Sequence, residues 1–470
     1  MRTNSSIASI PNPTPLLFLV TATAILVWPD AVGITALIVI ASIALPTAVI
    51  LLGRSPQLAI LSLIAASAVP HMSVQIGGLN ARPEHVVSGL MILAVPFLWK
   101  KKAQPVQWIK TDYWVVAYMA LMLFSSVVMS TAPLQTTKWA IQQALAILPY
   151  FWLRMFVTDW DRFRLVFKAF LITAAVTLVY AVACFYSYIL FGSTYGVATE
   201  QYADMPATYG AQYEGNMLGA YGAAFAILML VLYLHKRERK FLVGYALCGI
   251  VTVGISLSRA ALGAVVLVML ATGVFAARRS LINTKVLLKV AAATLVTVLA
   301  LAPVVLQHFQ ERFSTVDTSD IAADPNTLTR AVTAVSALDE VGKHPWFGGG
   351  VSSFQLAFDW EDLGPEWEDS AWIGNTELRV LHDAGIFGLV AFTGFLVSLV
   401  LQARKRLKQQ FRIELVALLL SGLVYCITFQ TTEGTLLAFP WIQLGLIACL
   451  VALPAREEDA KELSMQGATP

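Results

Sequence analysis

The chain has 470 residues, of which 57% are hydrophobic and 13% charged, with a formal net charge of +3. With a mean hydropathy of +0.70, that balance excludes an ordinary soluble globular chain. Four cysteines, Cys184, Cys248, Cys426 and Cys449, all lie in apolar runs, which argues against a disulfide framework or a Cys-based metal site.

Residues 1–14 are polar and carry prolines, as a short cytoplasmic tail would. The run Pro15–Trp28 has the look of a signal-peptide core. Its leading segment holds one Arg and no small-residue cleavage site follows closely, so it reads as an uncleaved first helix. Apolar runs of membrane-spanning length then recur near 31–52, 57–70, 84–99, 112–130, 136–157, 163–190, 216–234, 241–257, 260–277, 286–306, 385–401, 412–430 and 434–453. The fold class expected is an all-α integral membrane protein of about 14 transmembrane helices (12–14), with one large extracytoplasmic loop late in the chain. Its division is helices over 1–306, an active-site loop over 307–384, further helices over 385–454 and a cytoplasmic tail over 455–470. Assigning each Lys and Arg to a side puts 25 inside and 7 outside. By the positive-inside rule both termini are cytoplasmic and the loop faces outward.

That loop, 306–384, is the long polar interval of the sequence. It holds His308, His344 and His382, fourteen carboxylates against Arg312, Arg330, Lys343 and Arg379, and Trp346, Trp360, Trp367 and Trp372. Long loops of this kind are functional or disordered, and the aromatic content argues against disorder. Within DWEDLGPEWEDSAW (359–372) carboxylates suit sugar hydroxyls and indole faces suit pyranose rings. A solvated acidic loop is the plainer alternative. Its sign also tells against nucleic acid, which needs a basic face.

Other polar residues carry two readings each. Arg259, in SLSRAALG at a tight outer turn, is either a snorkelling interfacial arginine or an anion clamp whose fork suits phosphate oxygens. Arg82, in GLNARPEH, has the same two readings, and Lys138 reads as a helix-end anchor. Asp159-Trp160-Asp161 fits a D-x-D metal pattern, but N-capping of the helix that follows explains it better. The FGGGV run (347–351) lacks the Gly-Lys-Ser/Thr ending of a phosphate loop and reads as a tight turn. No cytoplasmic segment is long enough for a nucleotide-binding domain.

Two stretches resemble the O-antigen ligase and polymerase superfamily of bacterial inner-membrane glycosyltransferases. One is Arg330 followed by KHPWFGGGVSSF (343–354), where Pro345, Phe347, Gly348, Gly350 and Phe354 fit the family pattern. The other is GNTELRVLHDAGIFGL (374–389), where Asn375, Leu378, Leu381, Gly385, Gly388 and Leu389 fit. SLSRAALG and EGNMLGAYGAAFAIL (214–228) are similar to two further family segments. The resemblance implies a metal-independent, inverting transfer outside the membrane with no cofactor. A glycan on a polyprenyl diphosphate would be the donor and a glycan or lipid the acceptor, with the bilayer and chain-length or assembly partners around it. Diphosphate binding then falls to Arg259, Arg330, Arg379 and Arg82, and glycan contact to Asn375, Trp360, Trp367 and Trp372. The family's histidine falls at Gly374, which cannot take a proton. Glu377, His344 and His382 are the candidate bases, ranked in that order. A transporter or flippase for a polysaccharide or small solute is the alternative. It would be expected to place ionisable residues near the bilayer midplane, whereas most charges here sit at span ends or outside.

Overall fold

The computed structural model describes residues 47–76, 79–100, 107–198, 207–281, 283–295, 325–357 and 372–454. The first expected span, His308, Trp360, Trp367 and the C-terminal tail lie outside these residues. The described chain is helical apart from two short hairpins, β1 (Val74–Ile76) with β2 (Leu79–Ala81) and β3 (Val197–Ala198) with β4 (Ala207–Thr208).

In chain order the helices are α1 (Thr47–Arg54), α2 (Pro56–Ser67), α3 (Pro83–Lys100), α4 (Lys110–Phe124), α5 (Pro133–Phe156), α6 (Trp160–Phe191), α7 (Gly215–Lys236), α8 (Arg239–Gly249) and α9 (Arg259–Arg278). Residues 284–295 form α10. There follow α11 (Pro325–Lys343), the short α12 (Phe354–Ala357), α13 (Thr376–Gln409), α14 (Ile413–Thr428) and α15 (Ala438–Ala452). Turns of π-helix, Ser125–Met129 and Ile250–Ile255, extend α4 and α8.

Among the described residues five helices are long and apolar enough to cross a membrane, namely α4 with its π turn, α6, α7, α9 and α13. The pair α1–α2, bent by 115° at Ser55, makes a sixth if it is one span. Pro56 fixes that bend, because a proline opens a helix well and Ser55 caps the Leu58 amide. The same logic starts α6. There the Asp159 side chain accepts from the Arg162 amide at 2.9 Å, so the D-x-D sequence serves as a cap.

Helix α7 is the centre of the bundle. It is apolar all round, and 94% of its spanning window is buried inside the protein. Small residues make that possible. A methyl on Gly219 would lie 2.6 Å from Cβ of Ser258, and one on Gly222 would lie 2.7 Å from Oγ1 of Thr252. Close backbone approach at glycine is the usual way that helices pack where the hydrophobic effect is weak.

The turns sort to two ends of the bundle. At one end Asp112 holds Arg154 (3.2 Å) and the Tyr150 hydroxyl (2.6 Å), Lys236 pairs with Glu414 (2.9 Å), and Trp160 donates to the Pro454 carbonyl (3.1 Å). At the other, Gln142 donates to the Asn80 carbonyl (2.8 Å), His71 N–H to Ala211 (3.1 Å) and Val351 N–H to Ser126 Oγ (3.0 Å).

Candidate active site

The two family-like motifs meet as one joint. Helix α13 begins at Thr376 but is broken at Gly385, whose φ of 67° and ψ of −168° are not helical. The break leaves backbone groups without helical partners, and the glycine-rich turn supplies them. Gly349 N–H donates to the His382 carbonyl (2.9 Å) and Gly350 N–H to that of Asp383 (3.2 Å). In return Ile386 and Phe387 donate to Pro345 (2.9 Å) and Trp346 (3.2 Å). Contact this close leaves no room for a side chain at Gly385 or Gly348. A methyl on Gly385 would lie 2.3 Å from the Trp346 carbonyl, and one on Gly348 would lie 2.5 Å from the His382 carbonyl. The turn also bends where only glycine is at ease, with φ of 75° at Gly348 and 98° at Gly350. Gly350 in turn rests on Ser126, Ser130 and Thr136 of the α4–α5 turn.

Beneath the joint lies a buried charge cluster. Arg379 donates from Nη1 to Glu433 (2.7 Å), from Nε to Asp383 (3.3 Å) and from Nη2 to Ser352 Oγ (2.8 Å). Asp383 also accepts from the Ser352 amide (3.1 Å) and lies 3.1 Å from Nδ1 of His382. The Trp372 ring faces the Arg379 guanidinium at 5.5 Å, and the Phe354 ring meets His382 edge-on. One buried cation thus serves two buried carboxylates. Such an arrangement persists only when its hydrogen bonds are satisfied.

The loop 429–437 ties this cluster to the rest of that end. Phe429 accepts from the Thr376 amide (3.0 Å). The Gln430 amide donates to both oxygens of Glu377 (2.9 and 2.8 Å) and accepts from Asn375 (2.8 Å). Thr432 donates to Glu214, Glu433 accepts from the Thr435 amide (2.7 Å), and the Leu436 carbonyl accepts from Arg82 (2.5 Å). Glu214 precedes α7, where Gly215 touches the Ser256 carbonyl, so the Ser256–Arg259 turn adjoins the same loop.

The candidate residues therefore fall into distinct places. Glu377 is half-buried at the loop's edge and bound to Gln430, and Arg379 points away from it into the cluster. Asn375 serves as the cap of α13, accepting from the Leu378 amide (2.8 Å), with its own amide donating to Gln430. Arg82, with its two readings of interfacial anchor or anion clamp, and Arg379, a diphosphate contact implied by the resemblance, are both buried. Arg379 is neutralised by two carboxylates. Arg82 pairs with Glu84 (3.4 Å) and lies over the Tyr213 ring. In that corner burial lowers the pKa of His71, which packs on Tyr209 and Tyr213, and raises that of Tyr213. His382 is buried and His344 half-buried at the end of α11. Arg259 is exposed at the first turn of α9, after the cap Ser258. Arg330 is exposed on α11, which packs through Ala337 against Phe354, Ile373 and Leu378.

Sequence reasoning missed Glu433, Asp383, Ser352 and Gln430. The test that singled out Arg82, an ionisable group at the outer edge of a span, applies equally to the TTEGT turn and would have found Glu433.

Fold and site together define a multi-pass helical membrane protein with a charged, glycine-jointed site at one end. Residues 244–393 match the family model described as O-antigen ligase, and this supports the O-antigen ligase and polymerase superfamily for the chain. No curated protein matches it.

Proposed function

We propose that the protein is a membrane glycosyltransferase of O-antigen ligase or polymerase type, transferring a glycan from a polyprenyl-diphosphate donor to a hydroxyl of a glycan or lipid acceptor. The setting is the outer side of a bacterial inner membrane, with both chain termini cytoplasmic. The family match over 244–393 carries this reading, because the matched stretch holds Arg259, Arg330, Glu377 and the whole glycine joint.

In this mechanism the acceptor oxygen bonds to the anomeric carbon from the face opposite the diphosphate, and the bond from that carbon to the diphosphate oxygen breaks with inversion. The diphosphate leaves with the electron pair, and Arg259 and Arg330 offset its charge. Glu377 takes the acceptor proton. The Gln430 amide donates to both of its oxygens, so the carboxylate is held in place. His382 moves ahead of His344 as the second candidate base, since Asp383 beside its Nδ1 orients the ring. Its burial ranks it below Glu377. Arg379 acts by position, fixing loop 429–437 and hence Gln430.

The test is glycan transfer by the purified full chain in proteoliposomes supplied with a polyprenyl-diphosphate glycan. Arg259→Ala should abolish transfer with insertion intact. Arg259→Lys should stay impaired, since a point charge does not reproduce the bidentate fork. Movement of a solute or glycolipid across the bilayer without any transfer would establish the carrier reading instead.

A further inference from the structure

Helix α11 lies in the polar interval of the sequence, and four charges, Arg330, Asp339, Glu340 and Lys343, keep it from crossing a bilayer. Yet apolar residues show on two sides of it. On one side Ala337 is buried against Phe354 and Ile373, with Thr333 buried a turn away. The other side has no protein on it. Val335 is 61% exposed and Leu338 53%, and Ala331 is exposed beside them. By helical geometry these three lie within about 60° of one another around the axis and roughly 150° from the buried pair. Gly342 extends the stripe, and a methyl built there meets nothing within 4 Å. Arg330 stands on one edge of the stripe and Asp339 on the other, both exposed. An apolar stripe fenced by charges is the pattern of a helix that lies in the boundary between headgroups and acyl chains.

The neighbouring surface says what covers the stripe. Helix α11 ends at Lys343, three residues before Trp346, which is 58% exposed. The Trp346 ring lies 5.8 Å from that of Phe387, Phe387 lies 5.1 Å from Phe347, and Phe347 lies 5.1 Å from Phe124. Phe124 and Phe387 are exposed on α4 and α13, two of the helices that can cross a membrane, and α13 continues outward-facing through Val390, Val397 and Leu401. Aromatic rings at the ends of spanning helices mark the boundary between membrane and water. The last turn of α11 is therefore tethered at that boundary. Its four charges sum to zero, so apolar burial rather than attraction to anionic headgroups is what holds such a helix down.

We propose that α11 is an interfacial helix whose Ala331, Val335 and Leu338 stripe is sunk in the bilayer at the end of the bundle that carries the candidate site, and that a zwitterionic lipid surface suffices to hold it. The helix then keeps Arg330, on the edge of its stripe, at the depth of the lipid phosphates. That a membrane-anchored diphosphate meets Arg330 there rests on the transferase reading, whereas the lipid contact does not.

The experiment places the full chain in phosphatidylcholine nanodiscs that contain a phosphatidylcholine with a diazirine near the carbonyl end of one acyl chain. After irradiation, mass spectrometry should find adducts on peptides covering 331–342 at a level within a few-fold of those covering 390–401 of α13. Adding phosphatidylglycerol should not raise it. Hydroxyl-radical oxidation of the same discs should spare Val335 and Leu338 as it spares Val390 and Val397. Val335→Asp combined with Leu338→Asp changes two side chains that project out of the fold. It should lower adducts on 331–342 several-fold and leave those on α13 unchanged. Oxidation of both residues without adducts would mean that water covers the stripe, and neither oxidation nor adducts would mean that protein does. Either result overturns the proposal, as would adducts that need phosphatidylglycerol. Labelling requires no turnover, so adducts without glycan transfer would count against the transferase reading alone, and transfer without adducts against the interfacial helix alone.

Discussion

Replacing Gly385 with alanine tests whether the glycine turn and the broken helix are one unit. The backbone there lies in a region that is essentially glycine-only, and a side chain forced into it costs on the order of 1–3 kcal/mol. The added methyl would also meet the Trp346 carbonyl and the Phe347 amide at 2.3–2.4 Å. These are backbone atoms and cannot rotate away, so the joint must open. Opening forfeits the bonds Gly349–His382, Gly350–Asp383, Ile386–Pro345 and Phe387–Trp346, at about 1 kcal/mol each. The total comes to about 5–7 kcal/mol. At roughly 1.4 kcal/mol per factor of ten, the Gly349 and Gly350 amides should exchange hydrogen at least about a thousandfold faster than in the parent. Gly273→Ala is the control. Its methyl meets nothing within 4 Å in α9, and alanine suits a helix interior better than glycine. Hydrogen exchange read by mass spectrometry over the peptides spanning 344–354 gives the answer. Protection in Gly385→Ala equal to that in Gly273→Ala would refute the joint.

Arg379→Met should strand Glu433 and Asp383 as buried, unpaired carboxylates and cost about 3–5 kcal/mol. Thermal unfolding in detergent measures this, and a further Glu433→Gln change should recover part of the loss. Glu377→Gln keeps its contact with Gln430 but removes the base, so transfer should fall about 10²–10⁴-fold with stability unchanged. Full activity would pass the role to His382. Partial desolvation against Tyr209 and Tyr213 depresses the His71 pKa although the residue keeps contact with solvent, so the folded protein binds fewer protons there than the unfolded chain. Its stabilising contribution is therefore present above the ordinary value of about 6.5 and is lost as pH falls below it. The melting temperature of His71→Gln should accordingly drop less between about pH 7 and about pH 5 than that of the parent. Cysteine labelling at Ser319 and Lys408 should report opposite sides of the membrane, and equal labelling of both from outside would refute the arrangement.

What the sequence disclosed was what acts locally. The apolar runs near 163–190, 216–234 and 260–277 became α6, α7 and α9 within a few residues, because length and hydropathy alone decide such helices. Asp159 was legible as a cap and FGGGV as a turn, since both follow from one residue's chemistry. The start of α13 was not. The run was read from 385, whereas the helix begins at Thr376, because TELRVLHDA is too polar to count toward an apolar run. Nor were the partners of Arg379 and Arg82. Glu433 lies 54 residues from Arg379 and Leu436 lies 354 residues from Arg82, and pairings at that range leave no local periodicity to read.

The break in α13 also bears on how the protein is made. Irregular backbone is not tolerated against lipid and must be covered by protein. The groups exposed at Gly385 are covered by residues 345–350, which in turn rest on Ser126 and Thr136. Segments far apart in the sequence must therefore meet before the N-terminal end of α13 can settle. Until the stretch around Gly350 meets the α4–α5 turn, the backbone groups at the Gly385 break lack these hydrogen-bond partners.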